Sequence, residues 1–506
     1  MAQWKSLEVS FGASSVIALL LTSTAHADVT AQQVWQSWKD FSTSMGQTMT
    51  AGSEEMAGDT LTVSNVAMTT ETATGSVEGS IEFIAFKELG DGTVEVTMAN
   101  EYPIAINQKV EGEDPVEVEL TIKQTGLKLI ASGTNADITN VLNADDIIIS
   151  LDNVSGMPDG AKLGVSISMK SLAGTYAVKS GAGKQIASDL SAASLTFDVN
   201  VSDPTTSSDF TMIGTMAGIA SKSNAIIPND TDLADMAAAL KAGFATDGGF
   251  AYGKTAYNLD FKDATSTGKA AGSVESGSID VAFNADALRY NVSSLGTDIT
   301  VSSSDMPFPE VNAKIAELAF GLMMPVAMSE EPKPFSFLTK IVGLSVSDEV
   351  WGIFDPAAVL PRDPATIVLD LTGQAKWLID IFAQDPANPT TQTPGELNAL
   401  TLNQFQVAFG GANLTGVGDF TFDNSDLVTF DGIPKPTGTL DAKLVGGNGL
   451  IDKLIQMGLL PEDQAMGARM MLGMFAATVE GSEDTITSKI EMKADGSIFA
   501  NGQQIQ

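Results

Sequence analysis

The chain contains no cysteine and one histidine, His26, among 506 residues. Disulfide stapling, thiol redox chemistry and cysteine nucleophiles are thereby excluded, and a lone imidazole cannot build a Cys/His zinc centre. Arginine is also scarce, at Arg289, Arg362 and Arg469 only, and 27 Lys+Arg stand against 63 Asp+Glu for a net charge of -36. Phosphate neutralisation needs clustered basic side chains, so nucleic acid is excluded as a partner. No stretch approaches the roughly 20 apolar residues of a membrane-spanning helix. There is no D-x-[DN]-x-[DN]-G loop for calcium either, so neither a metal nor a cofactor is expected. Aromatic residues make up 7% of the chain, few for the platforms of a sugar cleft.

What is present begins with an export signal. Lys5 precedes the apolar run VIALLL at 16–21, and Ala25-His26-Ala27 has the small-x-small form of a cleavage site, so residues 1–27 are expected to leave and the chain to begin at Asp28. The alternative is a retained anchor. Cleavage would take His26 with it, and Ser-His-Asp or Cys-His catalysis would then be impossible. Carboxylate chemistry, or binding without chemistry, is what remains.

Directly after the site, Thr30 and Gln33 form a capping box. Val34, Trp35, Trp38, Phe41 and Met45 follow as an apolar stripe at helical spacing, ended near Gly46 and expected to dock on the protein's own sheet. From 59 to 107 the pattern is a β meander around Gly90-Asp91-Gly92, with Ile81, Phe83 and Ala85 sharing a face opposite Val94, Val96 and Met98. Alternating strands continue to about 203, a helix capped by Asn229-Asp230 runs through DLADMAAALKAGF, and the strand rhythm then resumes in a style resembling the first half. The expected domains are 28–245, an N-terminal helix with an antiparallel β region, and 246–506, a second β region with Met-rich helices.

Residues 310–360 read as the richest in helix, with breaks at Pro325, Pro332 and Pro334, and residues 385–396 as an exposed loop. Residues 416–475 read as hairpin, helix, helix. Met323, Met324 and Met328 in the first of these regions echo Met466, Met470, Met471 and Met474 in the last, and both sets are expected to turn inward. Methionine is an adaptable packing residue, so these seven side chains are either core or the lining of a plastic apolar groove. The fold class expected is mainly β (α+β), with large curved antiparallel sheets and a few packed amphipathic helices.

Four stretches resemble a known family: VTAQQVWQSWKDF after the signal, LPRDPATIVLDLTG, the run from TFDNSDLVTF to MMLGMF, and the closing GSIFANGQQIQ. They are similar to the exported Gram-negative family catalogued as domain of unknown function 2125, which has no catalytic motif to carry over. More loosely, hairpins of the form G-x-F-x-x-D joined to short helices are similar to the YdgA and AsmA groups of envelope proteins, some of which hold lipids in a β groove. The resemblance implies a periplasmic protein, or alternatively one associated with the outer membrane. The leading expectation is a non-catalytic envelope protein that binds a lipid, a hydrophobic segment or another envelope protein. A carboxylate-dependent hydrolase of envelope glycans is one alternative, since two Asp/Glu suffice for that chemistry, and an outer-membrane-associated β protein is the other.

With no ordinary ligand set and no disulfide, stability rests on burial of apolar positions, while 63 acidic side chains repel one another. EDTA and reductant are expected to leave the melting temperature unchanged. Raising NaCl from low to physiological strength, where the Debye length is about 8 Å, is expected to raise it. A loss on EDTA that calcium restores would contradict this reading.

Overall fold

The computed structural model describes residues 28–44, 46–72, 75–108, 115–229, 231–233, 235–381 and 393–506. Residues 1–27, where an export signal is expected, Met45 and most of the 385–396 segment lie outside these. Helix α1 (Ala31–Ser44) is followed by β1 (Gln47–Thr50), β2 (Ser53–Ala57), β3 (Thr60–Thr72), β4 (Gly75–Glu88), β5 (Val94–Met98) and β6 (Glu101–Gln108). Next come β7 (Val116–Thr125), β8 (Lys128–Thr134), β9 (Asp137–Val154), β10 (Lys162–Ser180), β11 (Gly183–Asp203) and β12 (Ser208–Pro228). After α2 (Met236–Ala242), the strands are β13 (Ala245–Tyr252), β14 (Thr255–Lys262), β15 (Thr267–Val274), β16 (Ser276–Phe283), β17 (Ala287–Ser303), β18 (Val311–Pro325) and β19 (Lys333–Val346). Helix α3 (Asp348–Phe354) precedes β20 (Ala365–Trp377), β21 (Gly395–Phe409), β22 (Ala412–Asp423) and β23 (Lys435–Val445). Helices α4 (Gly447–Gln456) and α5 (Glu462–Phe475) lead to β24 (Ala477–Thr478), β25 (Thr485–Met492), β26 (Ile498–Ala500) and β27 (Gln503–Gln504).

All these strands join one antiparallel sheet, and β13, which begins at residue 245, pairs with both β12 and β16. The sheet is mainly β as expected, and it is open: among the described residues, β1 and β2 pair only with β3, and β27 pairs only with β26. The expected similarity in rhythm between the two halves is a shared strand plan. Long β4 faces the collinear pair β5 and β6, these face β8 and β7, and both of those face long β9. Long β12 faces β13 and β14, these face β16 and β15, and both of those face long β17.

A crease crosses these strands at mid-length. Asn65 in β3, Ser171 in β10, Gly218 in β12, Gly296 in β17 and Gly343 in β19 all have φ between 52° and 70°. Register places them on one line. Ser171 falls between the pairs Lys170↔Asp146 and Leu172↔Ala144, Gly218 between Ala217↔Ser194 and Ile219↔Ala192, and Gly296 between Leu295↔Glu317 and Thr297↔Ile315. Where a strand stops instead of bending, it stops on that same line, as between Met98 and Glu101, Thr125 and Lys128, or Tyr252 and Thr255. A left-handed residue inside a strand turns the alternation of side chains by one position. So Leu61 and Val63 are buried before Asn65 and Val66 after it, and on β4 the buried set changes from Ile81 to Ile84 and Phe86. Phe83, expected beside Ile81, is 39% exposed for this reason.

Helix α1 forms as the capping box requires, with Thr30 N–H donating to Gln33 Oε1 at 3.0 Å and Gln33 N–H to Thr30 Oγ1 at 3.3 Å. It docks on the sheet: Val34 and Trp35 are buried against Leu61, Phe86, Val94 and Ile138, and Trp38 meets Phe86 edge-on at 5.4 Å between centroids. Fifteen of the buried apolar residues form this one cluster. It draws on strands from β3 to β9. At about 4.8 Å per strand such a span laid flat far exceeds the roughly 10 Å diameter of a helix, so the sheet curls around α1.

Three expectations are corrected. Residues 311–346 are strands β18 and β19, and the helix there is α3 alone. These central strands are at least half-buried on both sides over most of their length, so their apolar run lacks the alternation that separates strand from helix. The second helix starts at Met236, capped not by Asn229-Asp230 but by Asp235, whose Oδ1 accepts from Ala238 N–H at 3.0 Å. Gly395 and Glu396 open β21 instead of closing a loop, and Glu396 pairs with Lys376 at 3.0 Å.

Gly343 tests the crease. Its φ is +70°, and a Cβ there would meet the Ala316 Cβ at 2.9 Å, so Gly343→Val is expected to cost about 1–3 kcal/mol. Gly352→Ala on α3, where a Cβ meets nothing within 4 Å, should cost nothing. Equal urea midpoints for the two variants would sink the argument.

Candidate functional site

The seven methionines are not brought together. Met323 and Met324 lie on β18, successive and therefore on opposite faces, and Met328 follows that strand, 62% exposed and bridged to Trp377. Strands β19 to β22 separate β18 from β23, which lines the space beneath α5.

On α5 the methionine spacing is helical as expected, but its phase is outward. Met466, Met470, Met471 and Met474 are 65%, 64%, 62% and 62% exposed. The face turned to the sheet is Ala465, Ala468 and Leu472, continued by Ala476 just past the helix end, an equally regular stripe. Two stripes of one period cannot be ranked by spacing alone, and packing against the sheet selected the smaller residues.

Between that face and the sheet lies an apolar cavity of about 400 Å³. Leu414 of β22, Leu444 of β23 and Ile486 of β25 supply its floor, and Leu472, Phe475 and Met471 its roof. Leu444 and Ala442 are on the face that alternation assigned them. The neighbouring polar group is already bonded, since Ser488 Oγ donates to Phe475 C=O at 2.6 Å. Helix α4 is held beside the cavity by Asp484, which accepts from Gly449 N–H at 2.9 Å and Asn448 N–H at 3.1 Å. Partial burial pushes the Asp484 carboxyl up, but these donors outweigh it and leave it below the usual carboxylate range. An Arg469–Asp452 ion pair ties α5 to α4, exposed and therefore worth little.

Carboxylates elsewhere serve turns. Asp263 is lowered to about 2 by the backbone N–H groups of Thr265 and Ser266, and Asp426 is lowered chiefly by Thr429 N–H. Every displaced carboxyl among the described residues is displaced downward, whereas a general acid needs the reverse. No group of three His, Cys, Asp or Glu stands close enough to hold a metal among them. One buried carboxylate escaped sequence reading: Asp355 accepts from Val359 N–H and Leu360 N–H at 2.9 and 2.8 Å and fixes the turn after α3.

The outward phase of α5 gives a direct test. Met470→Asp is expected to change stability by less than about 0.5 kcal/mol, as at other exposed positions. Leu472→Asp, which sets a charge against the apolar cavity, should cost about 2 kcal/mol or more. Urea melts in which Met470→Asp is the more damaging would reverse the assignment of faces.

No curated protein and no solved structure matches the chain. Residues 195–502, from within β11 to the last strands and including both C-terminal helices, match the model of a family described as uncharacterized protein conserved in bacteria (DUF2125). That match spans more than half of the sequence, and the chain belongs to this family.

Proposed function

We propose that the chain is an exported, non-catalytic binding protein of the cell envelope, and that it holds the acyl chain of a lipid between α5 and the sheet. The observation that carries this reading is the cavity of about 400 Å³ lined by Leu414, Leu444, Leu472, Phe475 and Ile486, within the size range of ligand sites. These side chains suit an alkyl chain, because burying polar groups against them without partners costs several kcal/mol, while Lys443, which also lines the cavity, can meet an acidic head. Met471 stands at the cavity and Met466, Met470 and Met474 stand exposed on the same helix. Flexible thioether side chains suit capture of an irregular apolar guest, and a row of them in water is a recognised mark of an interaction surface. Export is supported by the pattern of residues 5–27, and absence of catalysis by the missing histidine and cysteine beyond residue 27.

The test is uptake of a fluorescent long-chain fatty acid by the purified full chain. Binding is expected, with at least a tenfold loss in Ala468→Phe, which fills the cavity from α5, while circular dichroism stays unchanged. Absence of uptake, together with no lipid in native mass spectra of protein taken from the cell envelope, would sink the reading. Turnover of peptidoglycan by the same preparation would replace it with glycan hydrolysis.

A further inference from the structure

A second cavity lies beneath α1, beside the curled strands and many strands away from α5. It measures about 320 Å³ and is lined by Trp38 and Phe41 of the helix, Leu129 of β8, Leu142 of β9 and Val178 of β10. Four polar side chains line it, Ser37, Ser42, Asn140 and Tyr176, and the last two are cross-strand partners in the β9–β10 register. Directly opposed side chains have Cβ atoms about 5 Å apart on one face of the sheet, and here both line the same space without bonding to each other. Asn140 is 6% exposed, and its Oδ1 accepts no hydrogen bond; the Tyr176 hydroxyl is likewise buried and unpartnered. The Asn140 amide nitrogen is otherwise engaged, donating to Tyr176 C=O at 3.4 Å. Burial pushes the Tyr176 hydroxyl up to about 12, so it stays protonated and able to donate.

Buried polar atoms left without partners are rare in folded proteins, and each costs about 1–3 kcal/mol. An acceptor and a hydroxyl without partners, in a mostly apolar cavity, describe the complement of a guest. We infer that this chamber is a binding site for an uncharged amphiphile, whose single hydroxyl or amide head donates to Asn140 Oδ1 and accepts from the Tyr176 hydroxyl while its alkyl chain fills the space under α1. No lining side chain is charged, so a carboxylate or phosphate head would be desolvated without a counter-ion and is disfavoured. This site is independent of the cavity under α5, and either can fail without the other.

The probe is 1-decanol, with decane and decanoate at pH 8 as comparisons, titrated into the purified full chain and read by ligand-observed NMR. Wild-type protein is expected to bind decanol at least tenfold more tightly than either comparison. Asn140→Leu should abolish that preference and leave decane binding in place. Because it removes the orphaned acceptor, it should also keep or raise the melting temperature, which a loss of fold would not. Tyr176→Phe should weaken decanol alone, by about tenfold. Equal binding of decanol and decane, no binding of either, or decanol binding that survives both substitutions overturns the inference. So does a structure with decanol present in which ordered water alone meets Asn140 and Tyr176.

Discussion

Continuous pairing of backbone groups along one antiparallel sheet is the constraint on which everything else depends. A flat sheet of such length would have no interior, and apolar side chains on both faces would stay wet. The crease resolves this. By placing Asn65, Ser171, Gly218, Gly296 and Gly343 in left-handed backbone on a shared line, the chain bends its long strands at one level without ending the ladder. The same line receives the ends of the shorter strands, so split and unsplit strands fit one register. The shared plan of β4–β9 and β12–β17 sets the breaks between their shorter strands on that line in both halves, while left-handed residues stand on the long strands β12 and β17 but not on β4 or β9.

Helices then close what the crease bends. Helix α1 lies in the curl of the first strands and joins the main buried cluster, whereas α3, α4 and α5 gather at the other end of the sheet. There Trp351 of α3 stacks on Phe409 of β21 with an interplanar angle of 7°, and Arg362 lies over the same indole at 5.9 Å. Between these ends most strand residues are only half-buried, and the core is thin. Cavities form where a helix bridges a curved sheet without filling it, which is the position of both apolar chambers. The acidic surface, with ion pairs mostly exposed along the strands, contributes solubility more than stability.

The α5 face shows how far periodicity reaches. A stripe at three-to-four spacing identified the helix and its length, and the two-helix order after the hairpin held. The direction of the stripe did not, since Ala465, Ala468 and Leu472 repeat at the same period as the methionines and only the distance to β23 and β25 separates them. In β18 the limitation lies elsewhere: neighbours on both sides half-bury both faces, so Val311, Ile315, Leu318 and Leu322 satisfy a helical template while their backbone hydrogen bonds go to β17 and β19. On β4, alternation predicts the buried face as far as Ile81 and not beyond it, because the buried face changes opposite Asn65 of the neighbouring strand while the register runs on unchanged.

The sequence by itself determined that cysteine chemistry is closed to this protein, its β-rich class, the capped helix α1 and the hairpin turn at Gly90-Asp91-Gly92, because these depend on residue identity and on contacts a few positions apart. Tertiary structure alone decided that Asn140 faces Tyr176, that Leu414, Leu444 and Ile486 meet under α5, and that the methionines turn to solvent. Those facts depend on register between strands distant in sequence and on which face a helix presents to a sheet. Neither is encoded in the spacing of any one segment.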